Sequence, residues 1–205
     1  MYNEDKAMTK KIITDCDGVL LDWSYSFEKW MKFHFNLEPI HRTMYDIQER
    51  YGPDAPIGKN TDMFYLPRVF CNSSRIGSLK PQGDAVKYIK KLYEELGITL
   101  DVVTSLSLDP ETVKLRKHNL EKHFGNAIDR IITLDTGADK DGALDEWRDT
   151  EVIWVEDKPE NAMEGVKMGM DVFLIDASYN RDWDEPSEVK RVQGWREIYD
   201  YVIGE

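Results

Sequence analysis

The sequence predicts an α/β protein in which a parallel β-sheet carries helices on both faces. Short apolar segments alternate along the chain with longer amphipathic segments, and this alternation of strand and helix is typical of parallel sheets. Three of the apolar segments end in polar residues, which predicts that polar side chains collect at the edge of the sheet where ligands bind. The 205-residue chain is long enough for one domain with a sizeable core, or for a core that carries a small insertion.

Five apolar segments are predicted to be the strands of this sheet. Three of them stop at polar residues: KKIIT before Asp15, ITLDVV before Thr104, and EVIWV before Glu156 and Asp157. The segments DRIITL and DVFLI are predicted as two additional strands.

Three amphipathic segments between the strands are predicted to be helices. Pro110 and Pro159 favour helix initiation because proline suits the first turn, whereas Gly97, Gly125 and Gly169 favour termination. The predicted helices cover residues 81–96, 109–124 and 158–169.

Residues 23–76 interrupt this alternation. They begin with the aromatic-rich stretch WSYSFEKWMKFHF, contain turn signals in YGPDAPIGKN and lack a convincing strand pattern. Helices are predicted near residues 24–36, 43–50 and 61–71. We therefore expect an α/β core formed by residues 8–22 and 77–205, with residues 23–76 inserted after the first strand as a small helical cap. The alternative is a helical elaboration that packs on the core without covering a site.

Composition and charge narrow the class of partner. A net charge of −12 and a pI near 4.9 argue against a nucleic-acid polymer or an anionic membrane as the main partner, since both need a positive face. Small anionic substrates stay possible, because a metal ion and a few basic side chains can make one pocket attractive to an anion. The sequence does not indicate whether the chain self-associates.

Cysteine usage and the absence of long apolar segments bear on location. Cys16 and Cys71 are the only cysteines, too few for a disulfide framework or a cysteine-based zinc site, and are expected to be reduced thiols. The first residues, MYNEDKAMTKK, lack the apolar core of a signal peptide. No apolar segment approaches the roughly 20 residues needed to span a bilayer, so we expect a cytoplasmic protein.

Two carboxylates, Asp15 and Asp17, follow the first predicted strand with only Cys16 between them. In an extended backbone residues i and i+2 point to the same side, so the two carboxylates would share a face. At about 4 Å apart they would repel by roughly 4 kcal/mol at an effective dielectric near 20. A cation is the natural compensation, and Mg²⁺ prefers oxygen ligands of this type.

The DCDG segment has two other interpretations. An EF-hand loop does not fit, because Val19 and Leu20 occupy the places of a third oxygen ligand and the glycine. Asp17 and Gly18 could instead form a simple hairpin turn between KIIT and VLL, and the segment alone leaves this alternative open.

Four segments together resemble the motifs of the haloacid dehalogenase (HAD) superfamily of phosphohydrolases. They are IITDCDGVLLDW, LDVVTS, Lys140 and VIWVEDKPEN, in the family's order, and the resemblance covers nearly the whole chain. Further segments, GSLKPQGDAVKYIKKL, TSLSLDPETVKLRKHNLEKHFG and RVQGWREI, are similar to the 5'(3')-deoxyribonucleotidase branch. The resemblance implies a HAD-like Rossmannoid core and a cap that closes over the substrate.

The resemblance also assigns roles to the acidic residues. Asp15 would be the nucleophile that forms an aspartyl-phosphate. Asp17 would be the general acid that protonates the leaving oxygen and afterwards the base that activates water. Asp15, Asp17 and Asp157 would hold Mg²⁺, with Asp17 contributing its backbone carbonyl.

Three further residues would bind the phosphate group. Lys140 would hold the nucleophile and a phosphate oxygen, the Thr104 hydroxyl would donate to another oxygen, and Ser105 would contact the phosphate through its amide or hydroxyl. The function implied is that of a magnesium-dependent phosphomonoester hydrolase, a 5'-nucleotidase acting on (deoxy)nucleoside monophosphates. The alternatives are a phosphatase for another small phosphorylated metabolite and a non-catalytic module that binds metal or nucleotide.

Each assignment also has a simpler explanation, and this chain departs from the family pattern. Thr104 could be an ordinary strand-end threonine, Lys140 a solvated lysine in a polar stretch, and Asp157 a helix-capping carboxylate. Where many family members carry Gly-Asp or Asp-Asp, this chain has Glu156 before Asp157, and Asn161 replaces a further acidic residue. Asn161 can still hold a metal-bound water but adds no charge, a change that could weaken metal binding without abolishing turnover.

Residues 23–76 should carry specificity for the leaving group if they form a cap. The candidates for stacking on a base are aromatic: Trp23, Phe27, Trp30 and Phe64. The candidates for steering a phosphate are the arginines Arg42, Arg68 and Arg75. Histidines 34, 41, 118 and 123 show no metal-ligand spacing that coincides with the acidic site and receive no role.

Overall fold

A computed structural model describes residues 11–52 and 65–204 of the chain. Six strands form one sheet in the order β3-β2-β1-β4-β5-β6, and every neighbouring pair is parallel. The strands are β1 (Lys11–Thr14), β2 (Leu100–Ser105), β3 (Ile128–Leu134), β4 (Val152–Glu156), β5 (Asp171–Ile175) and β6 (Val189–Val192).

Helices connect the strands. They are α1 (Trp23–Phe35), α2 (Ile47–Tyr51), α3 (Tyr65–Cys71), α4 (Ala85–Leu96), α5 (Pro110–Phe124), α6 (Asp141–Leu144), α7 (Pro159–Lys167) and α8 (Trp195–Ile203). Short 3₁₀ turns lie at Ser74–Ser78, Gly125–Ala127 and Asp145–Trp147.

Strand β1 lies at the centre of the sheet, between β2 and β4. Ile12 and Ile13 are fully buried and belong to two different core clusters, because successive side chains of a strand point to opposite faces. Burying each of these side chains contributes roughly 1.5–3 kcal/mol. The Asp15 N–H donates to the Val155 carbonyl at 2.9 Å, so pairing with β4 continues one residue beyond β1.

All five predicted strands are confirmed, with ends that differ from the prediction by at most two residues. Strand β6 was not predicted, since it is a short edge strand whose central residues, Lys190 and Arg191, are charged. Helix α8 was also missed. Its first turn is capped by Asp84, whose carboxylate accepts from Trp195 N–H at 2.8 Å and from Arg196 N–H at 3.2 Å, so the start signal lies far away in the sequence.

The described parts of residues 23–76 are helical. Helix α2 is shorter than the predicted 43–50 helix because Asp46 caps it, accepting from Gln48 N–H at 2.8 Å and Glu49 N–H at 2.9 Å. The predicted 61–71 helix is seen from Tyr65 onward, and its first residues lie outside the described part. The division into core and cap stays a prediction.

The two chain segments that enter and leave residues 23–76 run side by side. The Asp22 N–H donates to the Lys80 carbonyl at 2.8 Å, and the Gln82 N–H donates to the Leu20 carbonyl at 2.8 Å.

Every helix within the described ranges is too short or too polar to cross a membrane.

Candidate active site

The polar residues that follow β1, β2 and β4 come together at one edge of the sheet. Asp15, Thr104 and Asp157 line a single cavity there, as the parallel pairing of these neighbouring strands requires. The acidic residues that sequence analysis placed at this edge are therefore close in space.

Lys140 lies between two of the carboxylates. Its ammonium nitrogen is 2.8 Å from Asp15 Oδ1 and 2.8 Å from Glu156 Oε2, and the residue is only 2% exposed. The loop after β3 brings Lys140 to the site, just before α6 begins at Asp141. Lys140 is thus a buried ion-pair partner of the predicted nucleophile and not a solvated lysine.

Carboxylate oxygens of Asp15, Glu156 and Asp157 all lie within 4.8 Å of one another. Glu156 is already engaged, because it pairs with Lys140 and accepts from the N–H groups of Asp157 and Lys158 at 3.1 Å each. Three buried carboxylates against one ammonium leave negative charge that a divalent cation would balance. Oxygen donors of Asp15 and Asp157 fit such an ion.

The electrostatics of this group reflect burial and crowding. Burial raises the pKa of Asp15 to about 7, although the Lys140 ammonium acts in the opposite direction. Burial also raises the pKa of Asp157 well above its usual range, and the charges of Glu156 and Asp15 add to this. Both shifts indicate carboxylates that need a positive partner to be ionised together.

Burial disfavours the charged forms of Lys140 and Glu156 as well, but their mutual attraction outweighs it. The pKa of Lys140 is raised because Asp15 and Glu156 stabilise the ammonium against burial. The pKa of Glu156 is lowered, since Lys140 and the hydrogen bonds from Asp157 stabilise its carboxylate against burial. Lys140 and Glu156 therefore form a buried charged pair beside Asp15.

Gly18 and two residues after β5 fix the position of Asp157. Gly18 has φ +82°, and a Cβ at this position would lie 1.9 Å from Asp157 Oδ2, so only glycine fits. The Tyr179 hydroxyl donates to Asp157 Oδ2, and Asn180 Nδ2 donates to the Asp157 backbone carbonyl at 2.7 Å. Sequence analysis missed Tyr179 and Asn180, which lie in the loop after β5 and outside the four motifs.

The carboxylate of Asp17 is paired with Arg116, which the sequence analysis had not singled out. Arg116 Nη1 and Nη2 donate to Asp17 Oδ1 and Oδ2 at 2.5 and 3.0 Å, and Nη1 also contacts Cys16 Sγ at 2.6 Å. Arg116 is fully buried, and its Nε has no hydrogen-bond partner among the described residues. This bidentate pair fixes the orientation of Asp17.

Arg116 lies on the buried face of α5, four residues after Thr112 and four before Leu120. A charged residue at this helical spacing among buried positions is the signal that could have identified it.

The segment from Cys16 to Leu21 is not the turn of a hairpin, because both neighbours of β1 are parallel strands.

The predicted phosphate-binding residues line the same cavity. Thr104 is buried there, and Ser105 donates its hydroxyl to the Ala138 carbonyl at 2.8 Å, which ties β2 to the loop carrying Lys140. Asn161 also lines the cavity.

Of the residues predicted to read the leaving group, only Trp23 lines this cavity among those described. Phe27 and Trp30 are buried and stack on one another at 5.8 Å between ring centroids, and Phe64 lies outside the described residues. None of the three predicted arginines lines the cavity within the described ranges. Arg50 does, although the sequence analysis did not select it, and it pairs with Glu28 at 2.5 Å.

Comparisons with known proteins give structural matches only. No protein-family model matches the chain, and no curated protein matches it. Solved structures with the same architecture include a haloacid dehalogenase-like hydrolase, SP0104 from Streptococcus pneumoniae, with 14% identity and a TM-score of 0.62 over 94% of this chain and 97% of that one.

Two further matches carry bound groups. CbbY from Rhodobacter sphaeroides in complex with phosphate is 18% identical, with a TM-score of 0.60 over 93% of this chain and 96% of that one. L-2-haloacid dehalogenase from Xanthobacter autotrophicus with covalently bound chloropropionic acid is 12% identical, with a TM-score of 0.62 over 96% and 99%. This chain therefore has a HAD-like α/β fold.

Proposed function

We propose that this protein is a magnesium-dependent phosphomonoester hydrolase that acts through an aspartyl-phosphate, with (deoxy)nucleoside monophosphates as substrates. The observation that carries the proposal is the buried Asp15–Lys140 pair beside Asp157. It combines a carboxylate nucleophile, a fixed cation and the oxygen ligands of a divalent ion at one sheet edge. The HAD-like fold and the order of the four sequence motifs are consistent with it.

The residues of the chain can perform the two halves of this reaction. An Asp15 oxygen attacks phosphorus while the bond to the leaving oxygen breaks, and Lys140 and Thr104 hold the phosphate oxygens. Asp17 supplies a proton to the leaving oxygen and then accepts one from the water that hydrolyses the aspartyl-phosphate. The bidentate bonds from Arg116 hold the Asp17 carboxyl in one orientation for both roles.

Mg²⁺ held by Asp15 and Asp157 would supply positive charge against the phosphate. A phosphate monoester brings about two negative charges to a place that already holds several carboxylates, so Lys140 alone cannot balance them. This charge balance favours phosphate ester chemistry that uses a metal ion.

Trp23, Ile47 and Arg50 support a nucleoside as the leaving group. They line the cavity from the side of α1 and α2, and so offer an aromatic face, an apolar surface and hydrogen-bond donors beyond the phosphate position.

A substrate panel tests the proposed function. Release of phosphate is measured from nucleoside 5'-monophosphates, sugar phosphates and p-nitrophenyl phosphate, with Mg²⁺ and with EDTA, and release of chloride is measured from 2-chloropropionate. We expect magnesium-dependent turnover that is fastest with the nucleotides. Turnover of sugar phosphates alone would refute the nucleotide assignment, chloride release would indicate a dehalogenase, and no turnover would indicate a binding module.

Magnesium should stabilise the protein more at pH 8 than at pH 6. The pKa of Asp15 in the folded chain, about 7, lies above its usual value of 3.8. The protonated carboxyl therefore stabilises the metal-free folded state at low pH, and this stabilisation is lost as pH rises through 7. Mg²⁺ binds the ionised carboxylates and therefore competes with protons at pH 6. At a hundredfold excess over Kd the ion should add about 2.7 kcal/mol.

Thermal melts in 10 mM MgCl₂ and in EDTA at both pH values check this. Asp157→Asn should abolish the magnesium effect, whereas Asp129→Asn, at an exposed position, should retain it. An equal magnesium effect in Asp157→Asn and the unaltered protein would show that the ion binds elsewhere.

A further inference from the structure

A second cavity lies outside the candidate active site, between α1 and the segment that leads into α4. Its volume is about 360 Å³, within the roughly 300–1,000 Å³ typical of small-molecule sites. We call it the α1 groove. The described residues that line it are Tyr25, Ser26, Lys29, Trp30, Phe33, His34, Arg75, Ser78, Leu79 and Lys80.

The α1 groove is positively charged although the protein is strongly acidic. Lys29, Lys80 and Arg75 line it, and no Asp or Glu does so in the described chain. None of these three side chains pairs with a carboxylate of the described residues, in contrast to Lys32, which pairs with Glu38 at 3.0 Å on the same helix. With a net charge of −12 over the whole chain, this groove is a place where an anion would be attracted.

The other half of the groove is aromatic. Phe33 is 76% exposed, which is unusual for a phenylalanine, and its ring meets that of His34 at 4.9 Å. Trp30 lines the floor, and its ring lies 5.0 Å from that of His34. The exposed Phe33 ring offers a flat surface on which a planar group can stack.

The charged and aromatic halves lie in series along α1. Tyr25, Lys29 and Phe33 are spaced by four residues, so they share one face of the helix, and the lining from residue 25 to residue 34 extends over about 13 Å at 1.5 Å per residue. The Lys29 and Lys80 ammonium groups both lie over the Tyr25 ring, at 5.4 and 4.8 Å from its centroid. The Lys29 and Lys80 ammonium groups are therefore gathered near the Tyr25 end, and the exposed Phe33 ring lies toward the other end.

We propose that the α1 groove binds a nucleoside di- or triphosphate, with the base stacked on Phe33 and the phosphates on Lys29, Lys80 and Arg75. The class of ligand follows from the order of the two halves: a planar group joined to a chain of negative charges matches both at once. An inorganic anion would leave the aromatic half uncovered. An apolar ligand would leave three cations without partners.

Occupation of this groove would bear on the candidate active site. The ligand would contact both α1 and residues 75–80, which are the segments that begin and end residues 23–76 and are joined by the Asp22–Lys80 backbone hydrogen bond. It would thus hold α1, which carries Trp23 at the active-site cavity, in a fixed relation to the core. This second site goes beyond the proposed function and does not depend on it.

Calorimetric titration with the non-hydrolysable nucleotide adenosine 5'-(β,γ-methylene)triphosphate in EDTA tests the proposal without turnover. We expect saturable binding to one site. Lys29→Glu combined with Lys80→Glu should weaken it about tenfold or more, and Phe33→Ala should weaken it about fivefold or more. Lys114→Glu combined with Lys117→Glu makes the same charge change on the exposed face of α5 and should leave binding unchanged.

If the glutamate variant does not fold, Lys29→Met combined with Lys80→Met replaces it in the titration and should also weaken binding. The proposal is overturned if the nucleotide does not bind, or if binding persists in both double variants. It is also overturned if inorganic tripolyphosphate binds as tightly as the nucleotide, or if only a single-stranded oligonucleotide binds. The p-nitrophenyl phosphate turnover of the Lys29/Lys80 variants, without nucleotide, should equal that of the unaltered protein.

Discussion

Replacing Asp15 by asparagine is expected to abolish phosphomonoester hydrolysis, with a loss of about 10⁴-fold or more in kcat. Asparagine keeps the shape of the side chain but is a poor nucleophile, and it removes the charge that pairs with Lys140 at 2.8 Å. Steady-state assays with p-nitrophenyl phosphate in Mg²⁺ measure the loss. This reaction needs little help for the leaving group, so it reports the attack by Asp15 itself.

The matched control is Asp129→Asn, which makes the same chemical change at a largely exposed side chain. It should leave kcat within about twofold, as expected for a surface substitution. Far-UV circular dichroism establishes that both variants are folded. An Asp15→Asn protein that keeps more than a tenth of the activity would rule out Asp15 as the nucleophile.

Replacing Arg116 by methionine is expected to lower both stability and catalysis. Arg116 is fully buried and its bidentate bonds to Asp17 are lost, while Asp17 keeps some hydration because its side chain is 21% exposed. We therefore expect a cost of about 3 kcal/mol in the free energy of unfolding, at the lower end of values for broken buried pairs. Denaturant unfolding measures this change in the free energy of unfolding.

The catalytic effect of Arg116→Met should depend on the leaving group. Without Arg116 the Asp17 carboxyl is no longer oriented. For a substrate whose poor leaving oxygen needs the proton from Asp17, kcat should therefore fall by about 10²-fold or more. Hydrolysis of p-nitrophenyl phosphate should fall much less, since its leaving group needs no proton. The kcat of each substrate, measured at several pH values, gives the comparison.

Arg116→Lys is the conservative counterpart, because it keeps the charge but cannot make the bidentate pair. It should recover most of the stability and only part of the activity toward poor leaving groups. If Arg116→Met lowered kcat by the same factor for both substrates, the role of Arg116 would be structural and not one of positioning Asp17.

Local sequence patterns predicted the core of the fold and the acidic edge of the sheet. Asp15 and Asp157 directly follow apolar strands, so strand order alone brings them to one place once the strands are known to be neighbours. Lys140 could be selected only through the family resemblance, because a lysine in a polar loop carries no signal of burial.

The residues that sequence analysis missed depend on contacts between distant parts of the chain. Arg116 reaches the site because α5 packs against the loop after β1. Tyr179 reaches it because the chain after β5 returns to Asp157. Helix α8 begins at a cap supplied by Asp84. Periodicity within a segment cannot reveal a partner on another element.

The pairing of β1 with β4 has a consequence for how the chain matures on the ribosome. Asp15 is synthesised before Asp157, and the two meet only after β4 has added beside β1. The cluster of Asp15, Glu156 and Asp157 is thus absent from any nascent chain that ends before β4. Parallel strands so distant in sequence pair slowly, which makes the completed centre one of the last features that this protein acquires.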